Sequence, residues 1–182
     1  MRTADKNSGF TLIELMVVIA LAGFLAVVAS RTLGNTGNWI SQYRLKAAAR
    51  QMAVNLEYAR MEAIKRNQVC VLAFNQQVDG TTYSYVAFVD ANGDLNFDAA
   101  ETVLLKIGFK NGVAYDPTQG SGTGLTFPAN TAGTPVPCVG FDARGLRKIN
   151  AVDIADKTAY LTDNFGNKVT VIVRNTGQVK MK

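Results

Sequence analysis

The chain has 182 residues, a formal net charge of +5, two cysteines and no histidine. The length leaves room for one globular domain beside any membrane helix. The lack of histidine removes the commonest general base and the commonest metal ligand, and two cysteines cannot build a cysteine–histidine zinc cluster. The few serines lie outside any nucleophile motif. The composition therefore predicts a protein that is not an enzyme.

Residues 10–29, FTLIELMVVIALAGFLAVVA, form an apolar run with a single charge, Glu14. As a helix this run spans roughly 30 Å, the thickness of the hydrocarbon core of a bilayer. Residues 1–9 carry two bases and one acid, and a basic lead-in favours a cytoplasmic N-terminus. An ordinary secretory signal has a shorter apolar core that ends in a cleavage site. We therefore expect a transmembrane helix with the rest of the chain outside the cytoplasm.

The start of this helix, GFTLIE at residues 9–14, resembles the prepilin N-terminal methylation signature of type IV pilins and type II secretion pseudopilins. The resemblance implies that a prepilin peptidase removes residues 1–9 by cutting between Gly9 and Phe10, and that the new N-terminus is methylated. It also implies assembly with other pilins or pseudopilins on an inner-membrane assembly platform. A plain membrane anchor with an incidental glutamate is the alternative.

Glu14 is unfavourable in an apolar helix, because an unpaired carboxylate in apolar surroundings costs several kcal/mol of free energy. Once Phe10 is N-terminal, its amine brings a positive charge into a bundle of apolar helices. Glu14, on the same helix or on a neighbouring one, can neutralise that charge. Such a pair favours one axial register between subunits, so it provides specificity more than net stability. We predict that Glu14 is an assembly residue.

The segment of residues 30–67 is predicted as a joint followed by an amphipathic helix. Gly34, Asn35 and Gly37 argue for a break, because each glycine costs about 1 kcal/mol relative to alanine inside a helix. The helical period resumes from Trp39 to about Asn67, with an apolar stripe at Leu45, Ala49, Met52, Leu56, Ala59 and Ala63. The stripe fits a coiled-coil seam or packing on a sheet of the same chain. We favour the second, because the many alanines suit close packing.

Beyond this helix the apolar pattern changes to a period of two, and turn signals such as Asp79-Gly80 separate the runs. The predicted strands are 69–74, 83–89, 103–109, 112–115, 124–127, 138–141, 160–163, 168–174 and 178–182. Residues 116–137, rich in Gly, Ser, Thr and Pro, are predicted as a variable surface loop. The predicted fold is α+β: a long N-terminal helix, with a membrane-spanning half and an amphipathic half, packed on an antiparallel β-sheet or β-sandwich head of residues 68–182.

Two further stretches, LEYARMEAIKRNQ at residues 56–68 and FDARG at residues 141–145, resemble the GspH/FimT family of minor pilins. The resemblance implies a non-enzymatic subunit of a type II secretion pseudopilus or a type IV pilus. It implies storage in the bacterial inner membrane with a periplasmic head. Two alternatives from other classes remain, a minor pilin that binds DNA and a major structural pilin.

One acidic stretch has the ligand spacing of an EF-hand calcium loop. Oxygen-bearing side chains occupy positions 1, 3, 5, 7, 9 and 12 of a twelve-residue segment: Asp90, Asn92, Asp94, Asn96, Asp98 and Glu101. Leu95 stands at position 6, where such loops have glycine, and the flanking segments are predicted strands. Calcium is therefore a candidate cofactor, and a polar hairpin turn is the alternative.

Two basic clusters are candidates for contact with nucleic acid, because both could bind phosphate backbones. They consist of Arg144, Arg147, Lys148, Arg174, Lys180 and Lys182. The last three share one parity, so an unbroken strand would place them on one face. DNA-binding FimT-type relatives carry a Gly-Arg-x-Arg motif here, whereas this chain has Gln178 and Lys180, which lack the planar guanidinium. A solvated strand edge blunted by lysines is the alternative.

The two cysteines, Cys70 and Cys138, lie in the domain that is expected outside the cytoplasm. An oxidising compartment permits a disulfide between them. Two buried free thiols are the alternative, since the sequence does not give their separation.

Overall fold

The computed structural model describes residues 10–33, 36–130, 135–148 and 155–182. The chain divides into two compact units, Met1–Ile40 and Ser41–Lys182. Its helices are α1 (Leu12–Leu33) and α2 (Thr36–Arg66). The strands are β1 (Val69–Phe74), β2 (Gln77–Val78), β3 (Thr81–Thr82), β4 (Tyr85–Asp90), β5 (Thr102–Ile107), β6 (Ala114–Tyr115), β7 (Cys138–Phe141), β8 (Arg147–Lys148), β9 (Lys157–Thr162), β10 (Lys168–Val173) and β11 (Val179–Met181).

Helix α1 is apolar around its whole circumference. Residues Leu12–Ser30 have a mean hydropathy of 2.7, and none of this stretch is buried. By length and composition it can cross a membrane, as the sequence predicts. Helix α2 begins at Thr36 and contains Gly37, so it starts earlier than predicted. Gly34 and Asn35 of the predicted joint lie outside the described residues.

The apolar stripe of α2 forms one wall of the main core. All six of its residues, Leu45, Ala49, Met52, Leu56, Ala59 and Ala63, are fully buried in this single chain. They pack with inward-facing residues of both large sheets in one cluster. This result confirms the intramolecular packing that the alanine-rich stripe favours over a coiled-coil seam.

The first sheet has the strand order β5-β4-β1-β7-β8 and is antiparallel throughout. Strands β1 and β4 are buried on both faces, which explains their continuous apolar runs. One face packs on α2. The other holds a smaller core that includes Val71 and Phe88, covered by Leu95 and Phe97 of the loop after β4.

The second sheet has the order β11-β10-β9-β6 and is also antiparallel. Burial alternates along β9 and β10, as expected for a sheet with one face on the core and one face in solvent. Together with α2, the two sheets confirm the predicted α+β fold with antiparallel β structure.

The segment between β6 and β7 corrects two expectations. In place of a strand at 124–127, Leu125 makes one isolated bridge to Ala159. Leu125 and Phe127 are buried, and the Phe127 ring lies 4.6 Å from that of Phe74. This segment therefore supplies part of the core and is not only a surface loop.

Three polar contacts join α2 to the two sheets, two of them at hairpin turns and one at the first residue of β11. At the start of the second unit, Ser41–Lys182, the hydroxyl of Ser41 donates to the side chain of Asp163 in the β9–β10 turn. Farther along, Arg60 Nε donates to Gly145 O at 2.8 Å in the β7–β8 turn. The backbone N–H of Val179 donates to Glu57 Oε1 at 3.1 Å. Because hydrogen bonds are directional, these contacts set the position of the helix along its axis.

An ion pair between a buried acid and an exposed base fixes the turn after β6. Lys168 Nζ lies 2.7 Å from Asp116 Oδ2, and Thr118 donates to Asp116 Oδ1 through both its N–H and its hydroxyl. The hydrogen bond from Lys168 and those from Thr118 lower the pKa of Asp116 to about 2.

The first prediction concerns the stripe of α2. Leu56→Ala should lower the free energy of unfolding of the full chain by about 2–5 kcal/mol, because it leaves a cavity in the main core. Val54→Ala on the same helix is the matched control, since Val54 is 63% exposed, and it should change stability by about 0.5 kcal/mol or less. Denaturant unfolding in detergent measures both. Equal losses for the two variants would contradict the packing described.

The second prediction concerns pH. Because the folded pKa of Asp116 lies below its unfolded value, its stabilising effect is complete above about pH 4 and is lost as pH falls toward 2. Asp116→Asn should therefore flatten the fall in melting temperature across this window. Asp79→Asn, at an exposed acid whose side chain is 85% accessible, is the control and should keep the wild-type profile. An unchanged profile in Asp116→Asn would refute the assignment.

Candidate functional site

Thr11 caps the N-terminus of α1. Its carbonyl accepts hydrogen bonds from the N–H groups of Glu14 and Leu15 at 3.1 and 3.2 Å, and its Oγ1 lies 3.3 Å from the Glu14 nitrogen. Thr11 and Glu14 thus have the spacing of a capping box, with Glu14 in the first turn, where the helix dipole favours a carboxylate. The sequence reasoning missed Thr11. A threonine three residues before a glutamate, at the start of an apolar run, was the available signal.

The side chains around this cap are open to solvent. Phe10 is 83% exposed and Leu12 is 78% exposed. The Glu14 side chain is exposed and makes no ion pair within the described residues. The helix can therefore offer a partner an apolar surface with one charge near its beginning. Gly9 and the rest of the predicted leader lie outside the described residues.

The residues of the predicted calcium loop do not fit a calcium ion. Asp90 Oδ1 and Oδ2 accept hydrogen bonds from the N–H groups of Gly93 and Leu95. The two Glu101 oxygens accept from the N–H groups of Ala91 and Asp98. Within the described residues, no group of three acidic, histidine or cysteine side chains is placed to hold a metal ion.

The other four residues of the predicted calcium loop bond to one another. Asn92 Nδ2 donates to both Asp94 and Asp98, and the N–H of Asn96 donates to Asp94 Oδ1. Lys148 Nζ also donates to the carbonyl of Gly93 at 2.7 Å, so a base lies beside this loop. The segment is thus a closed polar turn that carries the apolar lid of the smaller core.

The side chains of the first basic cluster, which consists of Arg144, Arg147 and Lys148, bond to other groups of the protein. Arg144 pairs with Asp142 at 2.8 Å, and buried Arg147 donates to the carbonyl of Ala155. Burial alone would raise the pKa of Asp142, but hydrogen bonds from Arg144 and the backbone hold it below its usual value. The FDARG stretch therefore forms the β7–β8 turn, closed by Gly145 at φ 75°.

The second basic cluster does not form one strand face. Strand β10 ends at Val173 and β11 begins at Val179, so Arg174 lies in the turn, where it donates to Gln178 Oε1 at 3.0 Å. Lys180 and Lys182 are exposed, and the backbone of Lys182 pairs with Thr170. Of the six bases predicted to contact nucleic acid, four have side chains that bond to groups of this chain.

Both cysteines are free and buried in the structure, which corresponds to the second of the two alternatives that the sequence leaves open. Cys70 pairs with Phe141 across β1 and β7, whereas Cys138 pairs with Ala73. Ala73 is three positions from Cys70 along β1, so the two thiols lie on opposite faces of the sheet, in different clusters. Burial raises the pKa of each thiol to about 11, which keeps both protonated and unreactive.

Comparison with known proteins agrees with the motifs. Residues 48–177 match the family described as type II transport protein GspH, and residues 5–30 match the prokaryotic N-terminal methylation motif. The pilin-like protein PilA1 of Thermus thermophilus is 34% identical over 94 residues, which are 51% of this chain and 54% of that protein. The chain therefore aligns with about half the length of this curated relative.

Solved structures of the type IV minor pilin FimU of Pseudomonas aeruginosa are also similar, at 14% identity. In one crystal form the alignment covers 79% of this chain and 92% of FimU with a TM-score of 0.45. In a second form it covers 76% and 92% with a TM-score of 0.41. The family match spans most of the head and the methylation motif spans the start of α1, which confirms the resemblance seen in the sequence. The chain belongs to the GspH family of type II transport proteins.

Proposed function

We propose that this chain is a minor pilin or pseudopilin subunit that assembles through α1 into a type II secretion pseudopilus or a type IV pilus. Its role is structural and not enzymatic. The observation that carries the proposal is α1 itself, an apolar helix with no buried side and one carboxylate in its first turn. The head, in contrast, fills its own core from Leu45 onward.

The exposed surface of α1 requires an apolar environment. Twelve large apolar side chains between Leu12 and Val28 are about half exposed or more. At roughly 1.5–3 kcal/mol for each such side chain, leaving them in water costs tens of kcal/mol. Lipid provides the cover while the subunit is stored, and neighbouring apolar helices provide it in a filament. Transfer between these two environments needs no catalytic residue.

The start of the helix contains the cleavage site and the residue that sets the axial register between subunits. A prepilin peptidase removes residues 1–9 by cutting between Gly9 and Phe10, and the new amine is methylated. Glu14 then neutralises the amine of its own chain or of a neighbour. In apolar surroundings only a closely matched pair compensates the desolvation of both charges, so incorrect registers are disfavoured. The partners are other pilins or pseudopilins and an assembly platform in the bacterial inner membrane, with the head in the periplasm.

The third prediction tests the role of Glu14. Glu14→Gln should reduce incorporation into sheared filaments at least about tenfold, because the amine of Phe10 then loses its counter-charge and about 1.4 kcal/mol is a factor of ten. Glu14→Asp keeps the charge and should retain most of the incorporation. The ratio of subunit in the filament fraction to subunit in the membrane fraction measures the effect. If Glu14→Gln is incorporated as well as the wild type, Glu14 has no role in assembly.

The fourth prediction tests processing. The mature wild-type chain should begin at a methylated Phe10 by intact-mass measurement. Gly9→Leu should leave residues 1–9 attached, because a large side chain replaces the small residue at the proposed cleavage site. Gly9→Ala is the small-residue control and should be cut. An intact Met1 in wild-type filaments would show that residues 1–9 are not a removable leader.

A further inference from the structure

An apolar groove with a basic rim lies between α2 and the end of the first sheet. Its volume is about 270 Å³, just below the usual range for drug-sized ligands. The walls are apolar side chains of the helix, of the end of β5 and of the segment after β5, among them Ala48, Ile107 and Phe109. Arg44 and Lys110 also line it, and both are exposed. Neither of these two side chains makes a hydrogen bond or ion pair within the described residues.

Exposed aromatic side chains lie at the same end of the head. The 110–112 loop touches the β9–β10 turn, because a Cβ on Gly112 would overlap the Asn164 side chain. That turn is held to Ser41 through Asp163, and it carries Phe165, which is 58% exposed. Tyr43, two residues after Ser41, is 64% exposed. The groove, its two bases and Phe165 therefore lie at one end of the head, and Tyr43 lies at the same level of α2 on a different side of the helix from Ser41. These residues together are named here the basal surface.

The basal surface is the part of the head that the chain reaches first after the apolar span. Ten residues, and so eleven residue-to-residue steps, lie between Ser30, the last residue of that span, and Ser41. Since a fully extended residue covers at most about 3.6 Å, the connection cannot place Ser41 more than roughly 40 Å from the end of the span. Residues 31–66 carry seven bases and two acids, so this part of the chain is basic as well.

We propose that the basal surface binds anionic phospholipid of the bilayer in which α1 anchors the chain. Arg44 and Lys110 contact the headgroup phosphate, part of an alkyl chain occupies the groove, and Tyr43 and Phe165 lie at the membrane interface. Each feature matches the chemistry of that interface, where amphipathic and aromatic side chains concentrate and bases bind anionic lipid. The inference rests on the membrane storage that is part of the proposed function.

The lipid accounts for the combined features better than an acidic protein segment does. An acidic segment would pair with Arg44 and Lys110, but it would not require an apolar groove or two neighbouring exposed rings. A phospholipid has the phosphate and the alkyl chain in one molecule. Bound lipid would hold the head against the bilayer before assembly and would have to be released when the subunit leaves the membrane.

The test uses the full chain in nanodiscs of phosphatidylcholine, with or without phosphatidylglycerol. A nitroxide is placed at Phe165→Cys or, as the control, at Asn175→Cys in the turn beside Gly145, near the other end of α2. The native thiols are buried and do not compete for the label. The accessibility of each nitroxide to oxygen and to a water-soluble nickel complex reports its depth. The Phe165→Cys label should be at membrane depth in discs with phosphatidylglycerol, and the Asn175→Cys label should stay aqueous.

Charge variants then identify the contact. Arg44→Ala with Lys110→Ala should return the Phe165→Cys label to an aqueous signal. Lys65→Ala with Arg144→Ala removes the same charge at exposed positions elsewhere and should leave the signal unchanged. An aqueous Phe165→Cys label in anionic discs overturns the inference while leaving α1 as an anchor. A chain that does not enter the discs overturns the anchoring too. If the depth of the Phe165→Cys label depends on the number of chains per disc and not on the lipid composition, the inference is overturned and the surface is one of self-association.

Discussion

The packing of α2 against both sheets is the interaction on which the rest of the head depends. The two large sheets are separate hydrogen-bonded units, and the buried stripe of α2 contributes to the one apolar cluster that they share. Apolar burial is strong but not directional, so it brings these layers together without fixing their registry. The contacts of Ser41 and Arg60 with hairpin turns, and of Glu57 with the start of β11, supply that directionality.

Two glycines allow the turns to approach this helix so closely. Gly145 and Gly177 both have positive φ, and a Cβ on Gly177 would overlap the carbonyl oxygen of Gly145. The same carbonyl accepts the hydrogen bond from Arg60. The FDARG stretch thus marks the place where α2, the first sheet and the second sheet meet. Its arginine completes the turn through Asp142, so the stretch is explained by the fold without a ligand.

The sequence predicted best the elements whose signal is local and regular. Residues 69–74 form a strand as predicted, because a short continuous apolar run suits a strand buried on both faces. The stripe of α2 was correct because steps of three and four residues define one helical face. The spacing of the acidic loop does not decide between a calcium site and a polar turn, because the spacing is local but the contacts of the loop are not: Lys148 and Asn130 approach it from distant parts of the chain. Burial of Leu125 and Phe127 likewise depends on tertiary packing that no short pattern records.

The head and α1 differ in how their apolar surface is compensated. In the head, the stripe of α2 finds its cover in the same chain, whereas α1 has none of its span buried. In apolar surroundings the first N–H groups of a helix also need partners, and Thr11 provides one through its side chain and carbonyl. The cap satisfies the backbone at Glu14 but does not use its carboxylate. Within the span Leu12–Ser30 that carboxylate is the single formal charge, and apolar neighbours cannot compensate it. In the assembly proposed above a partner brings the opposite charge to a defined position, and the need for that charge makes association through an otherwise uniform apolar helix selective for register.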